Sequence, residues 1–536
     1  MERTKIHINT ADVSAINDKN GDGMGEFEGW GTSLCWWANR VGYSDKMTRD
    51  ATEKFYGKEG LRLNIGRYNV GGGDHVADEV PKVKDPDDEF LHKTHITRSD
   101  SVVPGYACNV TKIRLDKHDK EWYDKNFTRA DFECGYAWDY DWDADKRQMN
   151  VLLAAAKAAG DEFIAEAFSN SPPYFMTVSG CSSGNVDPNE DNLRKDSYKA
   201  FATYMADVIE HWGKAGVVKF QSADPMNEPF TDYWHAFSDK QEGCHFDLGE
   251  SQSRILVEFK KALKERNVDI ILCGADENNI DVVCEGYEKL SDEAKEALDR
   301  IDVHSYEGSK REDVRRLAEK VGKNLWMSEV DGAGVDGEDA GEMGAPLWLG
   351  NYIEKDLKGF RSSAWILWDI VDVHVDKKSF VPFEQRNVSE MRELLGLNKG
   401  GSLWGLTIGD HDHGEIALTM KYYGFGQYTR YIRPGMTLMG SDEGTLVYHD
   451  PVKRQTVIVA RNTKKEDRNV AFDLSGFTEI GRKAKAVRTS GALLDGEKWA
   501  DVTEDSVEGF DEKENCLYAS LKGNSITTFI IEGCVR

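Results

Sequence analysis

No stretch of this 536-residue chain is both long and apolar enough to span a bilayer. Basic charge is also in short supply: 68 Lys and Arg stand against 95 Asp and Glu, for a net charge of −27. A surface this acidic repels phosphate, so neither nucleic acid nor an anionic membrane is expected as a partner. The nine cysteines, Cys35, Cys108, Cys134, Cys181, Cys244, Cys273, Cys284, Cys516 and Cys534, form no CxxC pair and no metal-type cluster. Their number is odd, and free buried thiols in a reducing compartment are the expectation. The first residues, Met1 to His7, lack the apolar region of a secretory leader. A cytoplasmic protein is therefore expected if that N-terminus is natural, and a secreted one if a leader has been removed.

Other absences narrow the chemistry. Gly71-Gly72-Gly73 has no Lys-Ser/Thr behind it, so it reads as a loop needing positive φ and not as a phosphate cradle. Residues 18–23, Asp-Lys-Asn-Gly-Asp-Gly, begin like a calcium loop, but Gly29 stands where a bidentate glutamate is required. They read as a turn, and no metal is expected. There is no internal repeat and no low-complexity linker. The sequence sets no oligomeric state.

What is present is a core-forming chain, 40% hydrophobic, with eight short apolar runs at 29–34, 62–70, 162–168, 217–223, 269–274, 302–306, 324–330 and 363–370. Amphipathic helical stretches lie between most of them, among them 192–212, 252–267, 310–321 and 347–360. Eight strands alternating with helices over about 400 residues predict an α/β fold, a (β/α)8 TIM barrel. The long segment 71–160, rich in Asp, Tyr and Trp, is expected to shape a cleft at the strand C-termini. Of 14 tryptophans, 13 precede residue 405, and strand-like runs at 445–449, 455–460, 485–488 and 525–531 follow. The expected organisation is an N-terminal segment 1–27 whose strand joins a β-sandwich, a catalytic barrel at 28–432, and a side β-sandwich domain at 433–536.

Two glutamates carry the functional signal. Glu228, in Pro225-Met226-Asn227-Glu228-Pro229, follows the fourth run, and Glu329, in Trp326-Met327-Ser328-Glu329-Val330, ends the seventh. Barrel strands converge at their C-terminal ends, so carboxylates 101 positions apart can face one another across a cleft and cleave a glycosidic bond. An acid/base on the fourth strand with a nucleophile on the seventh is an arrangement of retaining glycosidases. Asn227 offers an amide to a sugar 2-hydroxyl, His304 and Tyr306 end the sixth run within reach of Glu329, and Arg67 on the second run can hold Glu329 electrostatically. Trp365 and Trp368 offer flat faces for a pyranose. Burial and the charge of Glu329 are expected to raise the pKa of Glu228 and keep it protonated.

Ordered motifs along nearly the whole chain carry a resemblance. They are Gly29-Trp30-Gly31-Thr32-Ser33-Leu34; the run from Asn64 to Gly73; Phe168-Ser169-Asn170-Ser171-Pro172-Pro173-Tyr174; Asn227-Glu228-Pro229; Gln241-Glu242-Gly243-Cys244-His245-Phe246; and the stretch from Tyr422 to Gly435. The set resembles glycoside hydrolase family 30, and within it subfamily 5, the endo-β-1,6-galactanase group. The resemblance implies a barrel fused to a β-sandwich, no cofactor, and a retaining double displacement on β-1,6-linked galactan, such as arabinogalactan side chains. By position it makes Glu228 the acid/base and Glu329 the nucleophile. It places Asn227, Arg67, Asn170, His304, Tyr306 and Trp368 around the reacting sugar, with Asp141 as a further partner for sugar hydroxyls. The missing leader departs from secreted family members. Alternatives are an exo-acting β-1,6-galactobiohydrolase, another specificity of the family such as β-1,6-glucanase or β-glucosidase, and a non-catalytic carbohydrate-binding protein.

Overall fold

A computed structural model describes residues 3–73, 101, 103–126, 134–238, 240–332, 341–375, 403–493 and 495–536. Parts of the long segment 71–160 lie outside that set. Eight parallel strands close a barrel: Gly29–Ser33, Ile65–Asn69, Ile164–Phe168, Ser222–Asp224, Ile271–Asn279, Arg300–Glu307, Asn324–Val330 and Ala364–Leu367. Closure is made where Ala364 to Leu367 align with Gly29 to Thr32. Helices such as Tyr198–Lys214, Glu250–Glu265, Arg311–Val321 and Gly344–Phe360 cover the outside. Strands buried on both faces need no alternation, which is why they read as short continuous apolar runs.

Two strands differ most from the sequence reading, and site residues lie at or beyond the C-terminal end of each. The fourth shrinks to Ser222–Asp224, leaving 217–221 outside it. The fifth runs on to Asn279 through a polar stretch, with register shifts at Ala275/Glu277 and Glu277/Asn279. Ala275 and Asp276 there take φ of 76° and 46°, in the left-handed region. Such bulges aim side chains beside active sites, and polar residues at a strand end are invisible to an apolar-run criterion.

The barrel interior below the strand C-termini is ionic. Arg67 Nε donates to Glu166 Oε1 (2.9 Å), Arg300 donates to both Glu166 and Asp302, and Ser222 donates to Glu166 Oε2 (2.7 Å). All are buried. Charges taken out of water persist only when paired this fully.

Ten of the remaining strands form one sheet in which Thr4–Val13 is the pivot. Its first half pairs in parallel with Arg468–Asp473, and its second half pairs antiparallel with Thr437–Ser441. Strands Thr445–Asp450, Gln455–Asn462, Lys483–Ser490 and Ser525–Glu532 extend one wing. The other wing ends in Cys516–Leu521 and Val507–Asp511. The wings pack on each other around Ile6, Ile8, Ile458, Phe472, Leu517 and Phe529, with the Phe472 and Phe529 rings 5.2 Å apart. The second domain is thus a single sheet folded over on itself. Helix Met420–Thr429 joins it to the barrel. There the Gln427 amide bonds Thr489 and Thr528, Trp499 Nε1 donates to Tyr423 O (2.8 Å), and Arg461 pairs with Glu354.

All nine cysteines are free thiols. Asp18 accepts the backbone amides of Gly21, Asp22 and Gly23, so its carboxylate closes a turn. Among the described residues no helix is long and apolar enough to cross a membrane.

Candidate active site

Glu228 stands four residues beyond the fourth strand with φ of 47°, a conformation costly for a residue with a Cβ. Its surroundings fix it there. Its N–H donates to Asp276 O (2.9 Å), and its carbonyl accepts from Trp234 Nε1 (3.0 Å) and Thr231 Oγ1 (3.3 Å). The carboxylate is held at both oxygens: Oε1 accepts from Asn278 Nδ2 (2.8 Å) and His304 Nδ1 (3.0 Å), and Oε2 accepts from Tyr233 (2.5 Å).

Glu329 is the last residue but one of the seventh strand. Its Oε2 accepts from Arg67 Nη1 (2.9 Å) and its Oε1 from the Tyr306 hydroxyl (3.1 Å). His304 Nδ1 lies 3.6 Å from that same Oε1. One oxygen each of Glu228 and Glu329, together with a His304 nitrogen, lie within 4.8 Å of one another. The glutamates are 5% and 2% exposed.

Arg67 is the hub of the site, binding Glu166, Asp276 and Glu329 at 2.9 Å each. Asp276 also accepts from Ser328 (2.5 Å), and His304 Nε2 lies 3.1 Å away from it without hydrogen-bond alignment. Burial opposes the charge of His304, but Asp276, Glu329 and Glu228 together hold its pKa well above the usual histidine value, so it is an imidazolium. Burial likewise opposes the charge of Asp276, yet His304 and Arg67 keep it ionised far below the carboxylate range.

The two glutamates split in a direction opposite to the sequence expectation. Burial pushes Glu228 up, but hydrogen bonds from His304, Tyr233 and Asn278 outweigh it and hold Glu228 below its ordinary value. Burial pushes Glu329 up to about 7, with His304 and Arg67 opposing and the charges of Glu228 and Asp276 adding. The raised pKa expected for Glu228 is therefore corrected. Three donors converge on that carboxylate, whereas burial together with the charges of Glu228 and Asp276 leaves Glu329 the raised one of the two.

The other predicted residues divide. Asn227 is buried, and neither its amide nitrogen nor its oxygen has a protein partner. Asn170 is buried with its Oδ1 unpartnered and its Nδ2 3.8 Å from Cys35 Sγ. Buried amides left open in this way await a polar ligand. Trp368 lines a cavity of about 320 Å³ with both glutamates, Trp36, Tyr233, Asn278 and Tyr306, and the Trp36 ring meets it edge-on at 5.1 Å. Trp365 is not brought to the cleft: it is fully buried in the core, and its Nε1 donates to Asp356 on the covering helix (3.1 Å). Asp141 does not line that cavity either. Its Oδ1 accepts from Asp143 N (3.1 Å) at the open end of the hairpin formed by Ala107–Lys112 and Tyr136–Tyr140.

Comparison with known proteins places this geometry. A model of O-glycosyl hydrolase family 30 matches residues 116–297. Over those residues the chain is similar to glycoside hydrolase family 30. This glycoside hydrolase is 27% identical over 527 residues to an endo-beta-1,6-galactanase of Hypocrea rufa, covering 95% of this chain and 93% of that protein. It is 26% identical to an exo-beta-1,6-galactobiohydrolase of Bifidobacterium longum subsp. longum, over 85% of this chain but 35% of the longer relative. In fold it is similar to the catalytic domain of a GH30 xylanase C from Talaromyces cellulolyticus. There the TM-score is 0.64 at 15% identity, with 99% of this chain and 100% of that one covered.

Sequence reasoning missed Asp276, Asn278 and Tyr233 in this hydrolase. The signal for the first two was available: Asp276-Glu277-Asn278-Asn279 is a polar run directly after an apolar strand, at the barrel end where sites are built. Tyr233 carries no such signal. It reaches Glu228 only because the left-handed turn at Glu228 bends the following loop back.

Proposed function

We propose that the protein is a retaining glycosidase that cleaves internal bonds of β-1,6-linked galactan, with Glu329 as nucleophile and Glu228 as acid/base. One observation carries the reading: a Glu228 oxygen and a Glu329 oxygen within 4.8 Å at the ends of the fourth and seventh strands. That spacing supports covalent catalysis, since inverting enzymes need roughly 6.5–9.5 Å between carboxyl groups to admit a water. The choice of galactan rests on similarity to the Hypocrea rufa endo-beta-1,6-galactanase over nearly the full length of both chains.

In the first step Glu329 attacks the anomeric carbon while Glu228 passes a proton to the departing oxygen. In the second, Glu228 takes a proton from water and the galactosyl-enzyme is hydrolysed. Arg67 and Tyr306 aim the Glu329 oxygens. The pair holds one proton near neutral pH, which is the inventory this reaction needs. Positive charge building at the anomeric carbon favours ionised Glu329, and so drives that proton toward Glu228 and the leaving group. Asn227 supplies the open amide for the sugar 2-hydroxyl.

The test is a time course on linear β-1,6-galactan stripped of arabinose. A ladder of oligosaccharides is expected. A single small product from the outset would make the enzyme exo-acting, and cleavage of gluco-configured chains alone would sink the galactan reading. Glu329→Ala with azide should give an azide product of inverted configuration; failure with a folded variant would remove Glu329 from the nucleophile role.

A further inference from the structure

Trp404 follows the eighth strand and forms part of the wall of the cavity that holds Glu228 and Glu329. It is 40% exposed, whereas Trp36 and Trp368 in the same wall are 5% and 4% exposed. An indole left open to water inside a cleft offers a flat apolar face to a ligand.

The backbone beneath it is fixed. Trp404 N donates to Asp372 Oδ2 (2.8 Å). The carbonyl of the preceding Leu403 accepts from Lys421 Nζ, which also donates to Gly332 O (2.7 Å), three residues past Glu329. Lys421 is 1% exposed. Burying an ammonium to bond two loop carbonyls costs desolvation and side-chain entropy that a hydrocarbon side chain would avoid. What it gains is a tie between the loop after the seventh strand and the loop after the eighth. Glycines close the remaining freedom: a Cβ on Gly332 would stand 2.6 Å from Trp404 O, and one on Gly405 would stand 2.9 Å from Asp369 O and Ile370 O.

The barrel order gives direction. The eighth strand lies between the seventh and the first, opposite the fourth. Glu228, after the fourth strand, faces the departing oxygen, so Trp404 lies on the side of the sugars that stay with Glu329. A β-1,6 linkage adds a rotatable bond per residue, and a flexible chain gains most from a rigid flat surface that orders its next ring. Galactose, with its 4-hydroxyl axial, has one apolar C–H face suited to an indole.

We propose that Trp404 is the platform for the second sugar on the non-reducing side of the cleaved bond, and that Lys421 is the positioning residue that holds it there. The inference rests on the galactanase reading above. It requires two sugars on the retained side, so the enzyme prefers a galactobiosyl over a galactosyl donor.

The experiment compares kcat/KM on an aryl β-1,6-galactobioside and on an aryl β-galactoside for the intact protein, Trp404→Ala, Trp404→Phe and Lys421→Met. The unaltered enzyme should favour the galactobioside about tenfold or more. Trp404→Ala should bring that ratio close to one by losing activity on the galactobioside alone, and Trp404→Phe should keep most of it. Lys421→Met, checked for an unchanged circular dichroism spectrum, should lower the ratio in the same way. An unaltered enzyme with no preference, or a Trp404→Ala variant that loses equally on both substrates or on neither, overturns the inference. Failure of the unaltered enzyme on β-1,6-galactan itself, read in parallel, overturns the galactanase reading on which it stands.

Discussion

Glu329 is raised to about 7 and Glu228 is held low, so the pair keeps a single proton from mildly acidic to neutral pH. Catalysis needs that proton, and it is lost as pH rises through about 7. The kcat/KM on galactan should therefore fall about tenfold per pH unit on the alkaline side. In Glu228→Ala the loss on galactan should be about 10²- to 10⁴-fold. It should be far smaller on an aryl galactoside whose leaving group needs no protonation, and the alkaline limb should flatten there. An alkaline limb of the same shape in both proteins would detach it from the pair. At this scale the sequence was informative where chemistry and context coincide, as in Asn227-Glu228-Pro229 and Trp326-Met327-Ser328-Glu329-Val330. It misled where two like residues fall in one apolar run: Trp365 turns outward to Asp356, while Trp368 lies past the strand end in the cleft.

At the scale of elements, the fifth strand does more than its apolar core announces. Its bulges and left-handed turn at Ala275 and Asp276 bring one carboxylate against Arg67, Ser328 and His304, while the Asp276 carbonyl anchors Glu228. The first four residues of the strand, 271–274, were legible as part of a hydrophobic run. The polar end was not, because strand pairing with Arg300–Glu307, and not local propensity, carries the backbone through polar residues. Asp276→Asn removes one charge from a buried network and should cost about 3–5 kcal/mol of stability, read as a lower melting temperature. It should also release His304. In the native protein the imidazole should stay doubly protonated in NMR spectra well above pH 7, and in the variant it should titrate within the accessible range. An imidazole that is neutral at pH 7 in the native protein would contradict the charge assignment.

Across the whole molecule, the N-terminal strand belongs to the far domain although the barrel follows it directly in sequence. Ile6 and Ile8 fill the core between the two wings, and strand Thr4–Val13 is the seam through which the wings join. The strand character of this segment and of the tail was readable from alternation. That one strand splits its length between two partners was not, because register between distant segments leaves no local pattern. Removing residues 3–13 should expose both wing edges and yield a protein that aggregates, with barrel activity lost along with solubility.

A subtler change tests whether the two domains fold as one. Gly426 on the joining helix faces Trp499, and a Cβ there would stand 2.3 Å from the indole, whose Nε1 is already bound to Tyr423 O. The indole lies between Tyr423 and Arg430, so it has little room to withdraw. Gly426→Ala should therefore destabilise by about 1–3 kcal/mol, the range for overpacking, even though alanine favours helix locally. Gly426 does not line the cavity that holds Glu228 and Glu329, so kcat of the folded variant should match the native enzyme. One calorimetric transition, shifted down as a whole, is the expected result if barrel and sheet unfold together. Two transitions, with only one displaced, would make them independent folding units.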